Sequence, residues 1–78
     1  MRRLKIKKKV LKQYWGYAYP EENRIEIDPR LRSRRFLNTL IHEILHVLYP
    51  EDSETKISEN ADTITHYIWH ENYRRIDK

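Results

Sequence analysis

The sequence predicts an α+β fold, a small antiparallel β-sheet of about three strands packed on an antiparallel two-helix hairpin, in a single domain spanning residues 1–78. Three observations predict it. Alternating apolar residues occupy the first third of the chain, apolar residues at helical spacing occupy the rest, and Asp28-Pro29 separates the two regimes.

The first strand is expected within residues 4–12, where Leu4, Ile6 and Val10 share one parity and form a buried face. Lys8 and Lys12 share that parity, and the lysine density marks an edge strand. Residues 14–19, Tyr-Trp-Gly-Tyr-Ala-Tyr, and the alternating Arg24-Ile25-Glu26-Ile27 read as a hairpin across the turn-like Pro20-Glu21-Glu22-Asn23. Past Asp28-Pro29, Ser33 is placed to cap a helix whose apolar positions Phe36, Leu37, Leu40, Ile41, Ile44, Leu45 and Leu48 recur at helical spacing up to Tyr49. Pro50 stops that helix, since a helix interior does not tolerate the missing N–H and the ring. Asp52 or Ser53 caps a second helix, with Ile57, Ala61, Ile64 and Ile68 as its apolar stripe and an end near Asn72. So short a connection makes the two helices antiparallel neighbours, with residues near 46 opposite residues near 55. Trp15, Phe36 and Trp69 are assigned to the core, where large aromatic surfaces contribute most.

A chain of 78 residues has room for one thin core and none for a separate substrate-binding domain, so any site must sit on the core itself. Domains of this size commonly rely on a disulfide, a metal or a partner chain; without cysteine, metal or association remains. Hydrophobic residues at 38% beside two Trp, six Tyr and one Phe argue against a disordered chain. The basic amino-terminal stretch has no continuous apolar segment behind it, so neither a secretion signal nor a membrane span is expected, and the cytoplasm is the expected compartment. The net charge of +4 comes from bases concentrated in residues 2–12 and 30–35. Nucleic acid would fit such a surface, but no contact motif accompanies it, and a solvated face is the favoured reading.

The segment His42-Glu43-Ile44-Leu45-His46 carries the chemistry. Two histidines four residues apart on a helix stack on one side, where both imidazoles can ligate one ion. Glu43 between them is placed to accept a proton from water activated at that ion, the general-base role of the H-E-x-x-H pattern. The pair lies away from the Leu37, Ile41, Ile44 and Leu48 stripe, beside the interhelical loop and second helix. A catalytic zinc takes three protein ligands plus water, and the acids of the second helix are the candidates for the third. At about 100° per residue, Glu54 lies roughly 50° from the inward stripe and Glu59 roughly 170° away. Glu54 is therefore preferred and Glu59 kept as the alternative; a first-turn acid is also favoured by the helix dipole without any metal. His66 and His70 repeat the spacing without an interposed Glu and are read as surface residues. Asp62 is a poorly oriented candidate to support a ligand histidine, and Tyr49, Tyr17 and Tyr19 are candidate donors to an oxyanion, weighed against a core role.

With RIEIDPRLRSRR, LNTLIHEILHVLYPEDSE and ISENADTITHYIWHENYRR, the chain resembles the small phage-type H-E-x-x-H proteins, minimal gluzincins, from about residue 24 to residue 75. The resemblance implies a zincin-like core, a sheet on the active-site helix, and a following helix supplying a glutamate ligand, which falls on Glu54. It also implies that the strand at Ile25–Ile27 is the edge that holds an extended peptide, and that a viral protein of this kind works in the host cytoplasm. The expected activity is a zinc-dependent metallopeptidase-like hydrolysis of a peptide or protein substrate, with Zn2+ on His42, His46 and Glu54 and Glu43 as base. The competing expectation is a non-catalytic zinc-stabilised module whose basic surface docks on nucleic acid or an acidic protein. A fourth ligand such as Glu59 or Asp62 closing the site would mark that second case.

Overall fold

The computed structural model describes residues 1–74, so Arg75, the last residue of the resembling stretch, and the end of the expected domain lie outside the described residues. Five main elements follow in order: β1 (Lys5–Lys8), β2 (Gly16–Tyr19), β3 (Arg24–Ile27), α1 (Ser33–Leu48) and α2 (Glu54–His70), with a single 3-10 turn, Pro20–Glu22, between β2 and β3. The fold is α+β, three strands and two helices, as expected.

The sheet is mixed rather than antiparallel throughout. Its order is β1-β3-β2, with β2 antiparallel and β1 parallel to the central β3. The hairpin read from the sequence is present, pairing Gly16 with Ile27 and Tyr19 with Arg24. The parallel pairing arises because residues 9–15 wrap around the far end of β3. Asp28 fastens that wrap: its carboxylate accepts the Leu11 N–H at 3.0 Å, and its own N–H donates to the Trp15 carbonyl at 2.9 Å. Arg30 closes the same carboxylate through Nη2 at 2.8 Å and Nε at 3.0 Å. The side chain of Asp28 is fully buried, a position a carboxylate holds only when its oxygens are paired.

As the central strand, β3 buries Ile25, Glu26 and Ile27 together. Glu26 is compensated by Arg24 Nη1 at 2.8 Å and by the Tyr19 hydroxyl, which donates to it at 3.3 Å. Ile27, Leu31 and Phe36 form the apolar centre, with Leu40 packed against it. Cross-strand partners share a face, so Gly16 and Ala18 accompany Ile27 and Ile25 inward, toward α1, while Tyr17 and Tyr19 take the opposite face.

That parity corrects the expectation for the aromatics. Phe36 is buried, but Trp15 is exposed and Trp69 only half-buried. Trp15 lies exposed on the wrap, with the guanidinium groups of Arg30 and Arg35 over its ring in a cation–π arrangement. Tyr14, Tyr17 and Tyr19 pack on one another, with ring centroids 5.5 and 5.0 Å apart. β1 is an edge strand as read, yet Ile6 and Val10 are exposed and Leu4 half-buried, because no helix covers that margin fully.

The helices match the apolar periodicity with three differences. Ser33 has a left-handed φ of 53° and lies inside the first turn, so it does not cap α1; the cap position is Arg32, in extended backbone. At the far end Leu48 is exposed, beyond the reach of the sheet. In α2 the inward residues are Ile57, Ala61 and Thr65, and Ile64 is exposed. Thr65 can occupy the interface because its hydroxyl accepts from Asn38 Nδ2 at 3.1 Å, the same amide that donates to Asp62 at 3.0 Å. Ser53 caps α2, accepting the Lys56 N–H at 3.1 Å, which makes Glu54 the first residue of the helix.

Candidate metal centre

α1 carries the site on its side facing β2 and the start of α2. His42 and His46, one turn apart, meet edge to face with ring centroids 4.9 Å apart and bring their Nε2 atoms to 3.2 Å. The antiparallel hairpin carries Glu54 across the loop to meet them: Oε1 lies 2.8 Å from His42 Nε2, and Oε2 lies 2.8 Å from His46 Nε2. One ligand atom from each of the three residues falls within 4.8 Å of the others. Donors held about 2.0–2.1 Å from a tetrahedral zinc stand roughly 3.3 Å apart, so the imidazole pair has the spacing of such a site without rearrangement. Two imidazole nitrogens and one carboxylate also form a donor set that zinc accepts.

Glu43 lies in the same depression, a cleft of about 430 Å³ whose walls include Gly16, Tyr17, His42, His46 and Glu54. Burial pushes its carboxyl above the ordinary glutamate value; His42 and His46 oppose that shift and the charge of Glu54 adds to it. The other wall comes from β2, through Gly16, Tyr17 and Ala18. A Cβ added at Gly16 would stand 2.9 Å from Glu43 Cγ and 2.9 Å from Thr39 Cγ2, so β2 approaches α1 this closely only because residue 16 has no side chain.

The remaining candidates separate cleanly. Glu59 is exposed and outside the His42, His46 and Glu54 cluster, and among the described residues no fourth His, Asp or Glu joins it. Asp62 bonds Asn38 instead of a ligand histidine, because it sits two turns along α2 from Glu54. Tyr49 is exposed and lines a different hollow with Leu45 and Ile64, since the helix ends before it can turn back to the cleft. Tyr19 is committed to Glu26 on the outer face. Of the three tyrosines named as oxyanion donors, Tyr17 alone lines the cleft, joined by Tyr14. His66 and His70 lie on the exposed face of α2, as expected, their tilted rings 4.4 Å apart, with no carboxylate completing a three-residue cluster among the described residues.

Two features of the site were not anticipated. Gly16 and Ala18 had a signal, the only glycine of the chain two residues from another small residue within an aromatic strand. The strand bordering the cleft is β2, not the Ile25–Ile27 strand: β3 is central and both its edges are already paired. No protein-family model, no curated protein and no solved structure matches this chain.

Proposed function

We propose that the chain is a zinc-dependent, peptidase-like hydrolase in which His42, His46 and Glu54 hold the metal. The observation that carries this reading is the convergence of two imidazole nitrogens and a carboxylate on one point, with the half-buried carboxylate of Glu43 in the same cleft. Zinc bound there would polarise the scissile carbonyl and acidify the attacking water. Glu43, in the same cleft, would take the proton of that water and deliver it to the leaving amine. The backbone of β2 on its outer edge is unpaired in the sheet and borders the cleft, so an extended peptide can add to it as a further strand. Tyr17 borders the cleft from that edge while its ring packs with Tyr19 on the outer face of the sheet.

A non-catalytic zinc module is the competing reading. A purely structural zinc closes its coordination with four protein ligands, and three converge here among the described residues, which favours a site open to water and substrate. Glu43→Gln separates the two. As a hydrolase, the variant keeps one zinc per chain and loses peptide hydrolysis by at least about a hundredfold, the range for removing a general base. Unchanged turnover in that variant would remove Glu43 from the mechanism. Zinc in both proteins with hydrolysis in neither would leave the module.

A further inference from the structure

A second cleft lies toward the start of α1 from the metal cleft. Thr39, one turn before Glu43 on α1, shares with it the contact to Gly16, and it also lines this larger cleft of about 650 Å³. This second cleft lies between the first turns of α1 and the later half of α2, and its walls include Arg34, Arg35, Asn38 and His66. Arg34 and Arg35 are exposed, and Arg35 rests over Trp15, the residue that precedes Gly16. The one acid in the wall, Asp62, accepts the Asn38 amide, so two guanidinium groups dominate the charge there. Along α1 the order is therefore Arg35, Thr39, Glu43, His46; along β2 and the residue before it the order is Trp15, Gly16, Ala18. The two series run side by side from the basic cleft to the metal ligands.

We infer that this basic cleft is a substrate subsite of the proposed hydrolase, and that it selects peptides carrying acidic side chains at a fixed distance from the scissile bond. The inference rests on the hydrolase reading for its chemistry but on Arg34 and Arg35 for its selectivity. Eight residues of helix separate Arg35 from Glu43, about 12 Å at 1.5 Å per residue. An extended peptide covers about 3.3 Å per residue, so the acidic side chain falls about four residues from the bond that is cut. Arginine is suited to this role because its planar fork donates two parallel hydrogen bonds to a carboxylate.

The test uses zinc-loaded Glu43→Gln protein, which should bind peptide without turning it over, and short fluorescent peptides that differ only in carrying paired Glu or paired Gln about four residues to one side of the central bond. Peptides with the pair on either side are compared, since both chain directions are open. Glu peptides should bind several-fold more tightly than Gln peptides, and Arg34→Gln with Arg35→Gln should erase that difference while leaving the Gln peptide and the zinc content unchanged. Charge reversal, Arg34→Glu with Arg35→Glu, should invert the preference toward Lys peptides, an outcome that loss of folding cannot produce. In the active protein the same ratio should appear in kcat/KM. Equal binding of Glu and Gln peptides overturns the subsite. A single-stranded oligonucleotide that binds the Arg cleft more tightly than the Glu peptide and displaces it also overturns it, and assigns the cleft to phosphate. Failure of the hydrolase reading is distinct: the Glu preference persists in binding while no peptide is cut.

Discussion

Gly16 and Glu43 are in contact across the α1–β2 interface, so close that a single methyl group at residue 16 would stand 2.9 Å from Glu43 Cγ. Gly16 does not have a positive φ, so its value is space rather than backbone freedom. The general-base candidate is thereby held by a strand through the absence of an atom.

Gly16→Ala therefore has a defined consequence. The new methyl displaces either the Glu43 and Thr39 side chains or β2 itself, a form of overpacking that costs about 1–3 kcal/mol. Zinc content should be unchanged, because the atoms nearest that methyl belong to Glu43 and Thr39 and not to the three ligands. kcat/KM should fall on the order of a hundredfold, since a misplacement of about 1 Å at a reacting group is costly. Steady-state kinetics beside metal analysis reads both, and wild-type kcat/KM in a folded Gly16→Ala protein would count against the contact.

Zinc should stabilise the fold. At a free concentration a hundredfold above Kd the gain is about 2.7 kcal/mol, which for a domain of this size raises Tm by roughly 10–20 °C. Glu54→Ala and His42→Ala should each remove most of that rise, while Glu59→Ala and His66→Ala should keep it. Calorimetry with chelator and then with added zinc measures the difference. A zinc-dependent rise that survives Glu54→Ala but not Glu59→Ala would move the third ligand.

Asp28 makes stability depend on acid. Arg30 beside it, with the N–H groups of Leu11 and Arg30, holds its carboxyl well below the usual carboxylate range, against the opposing effect of burial. A group depressed on folding contributes stability that is fully present above the unfolded value of about 3.9 and is lost as pH falls below it. The urea midpoint should accordingly fall as the pH drops below about 4 in the wild type and keep falling toward the depressed folded value. Asp28→Asn should lower the midpoint at pH 7 and flatten that part of the profile, because its uncharged amide neither pairs Arg30 nor titrates. An unaltered acid limb in Asp28→Asn would assign the loss to other carboxylates.

The sequence by itself determined what is local. Helical spacing located α1 and α2, Pro50 and Ser53 set the break between them, and the four-residue interval placed His42 beside His46. The short loop even put Glu54 within reach, since an antiparallel hairpin has few registers to choose from. The side of β3 on which β1 pairs, and its direction, were decided by tertiary structure, because the wrap over residues 9–15 is held by Asp28, a contact between distant parts of the chain. The same is true of the strand that borders the metal cleft, of the outward aromatics, and of Thr65 rather than Ile64 at the helix interface. Periodicity reports that a residue has an inward side but not what waits there. Gly16 against Glu43, and Asn38 against Thr65, exist only once the sheet and both helices have been brought together.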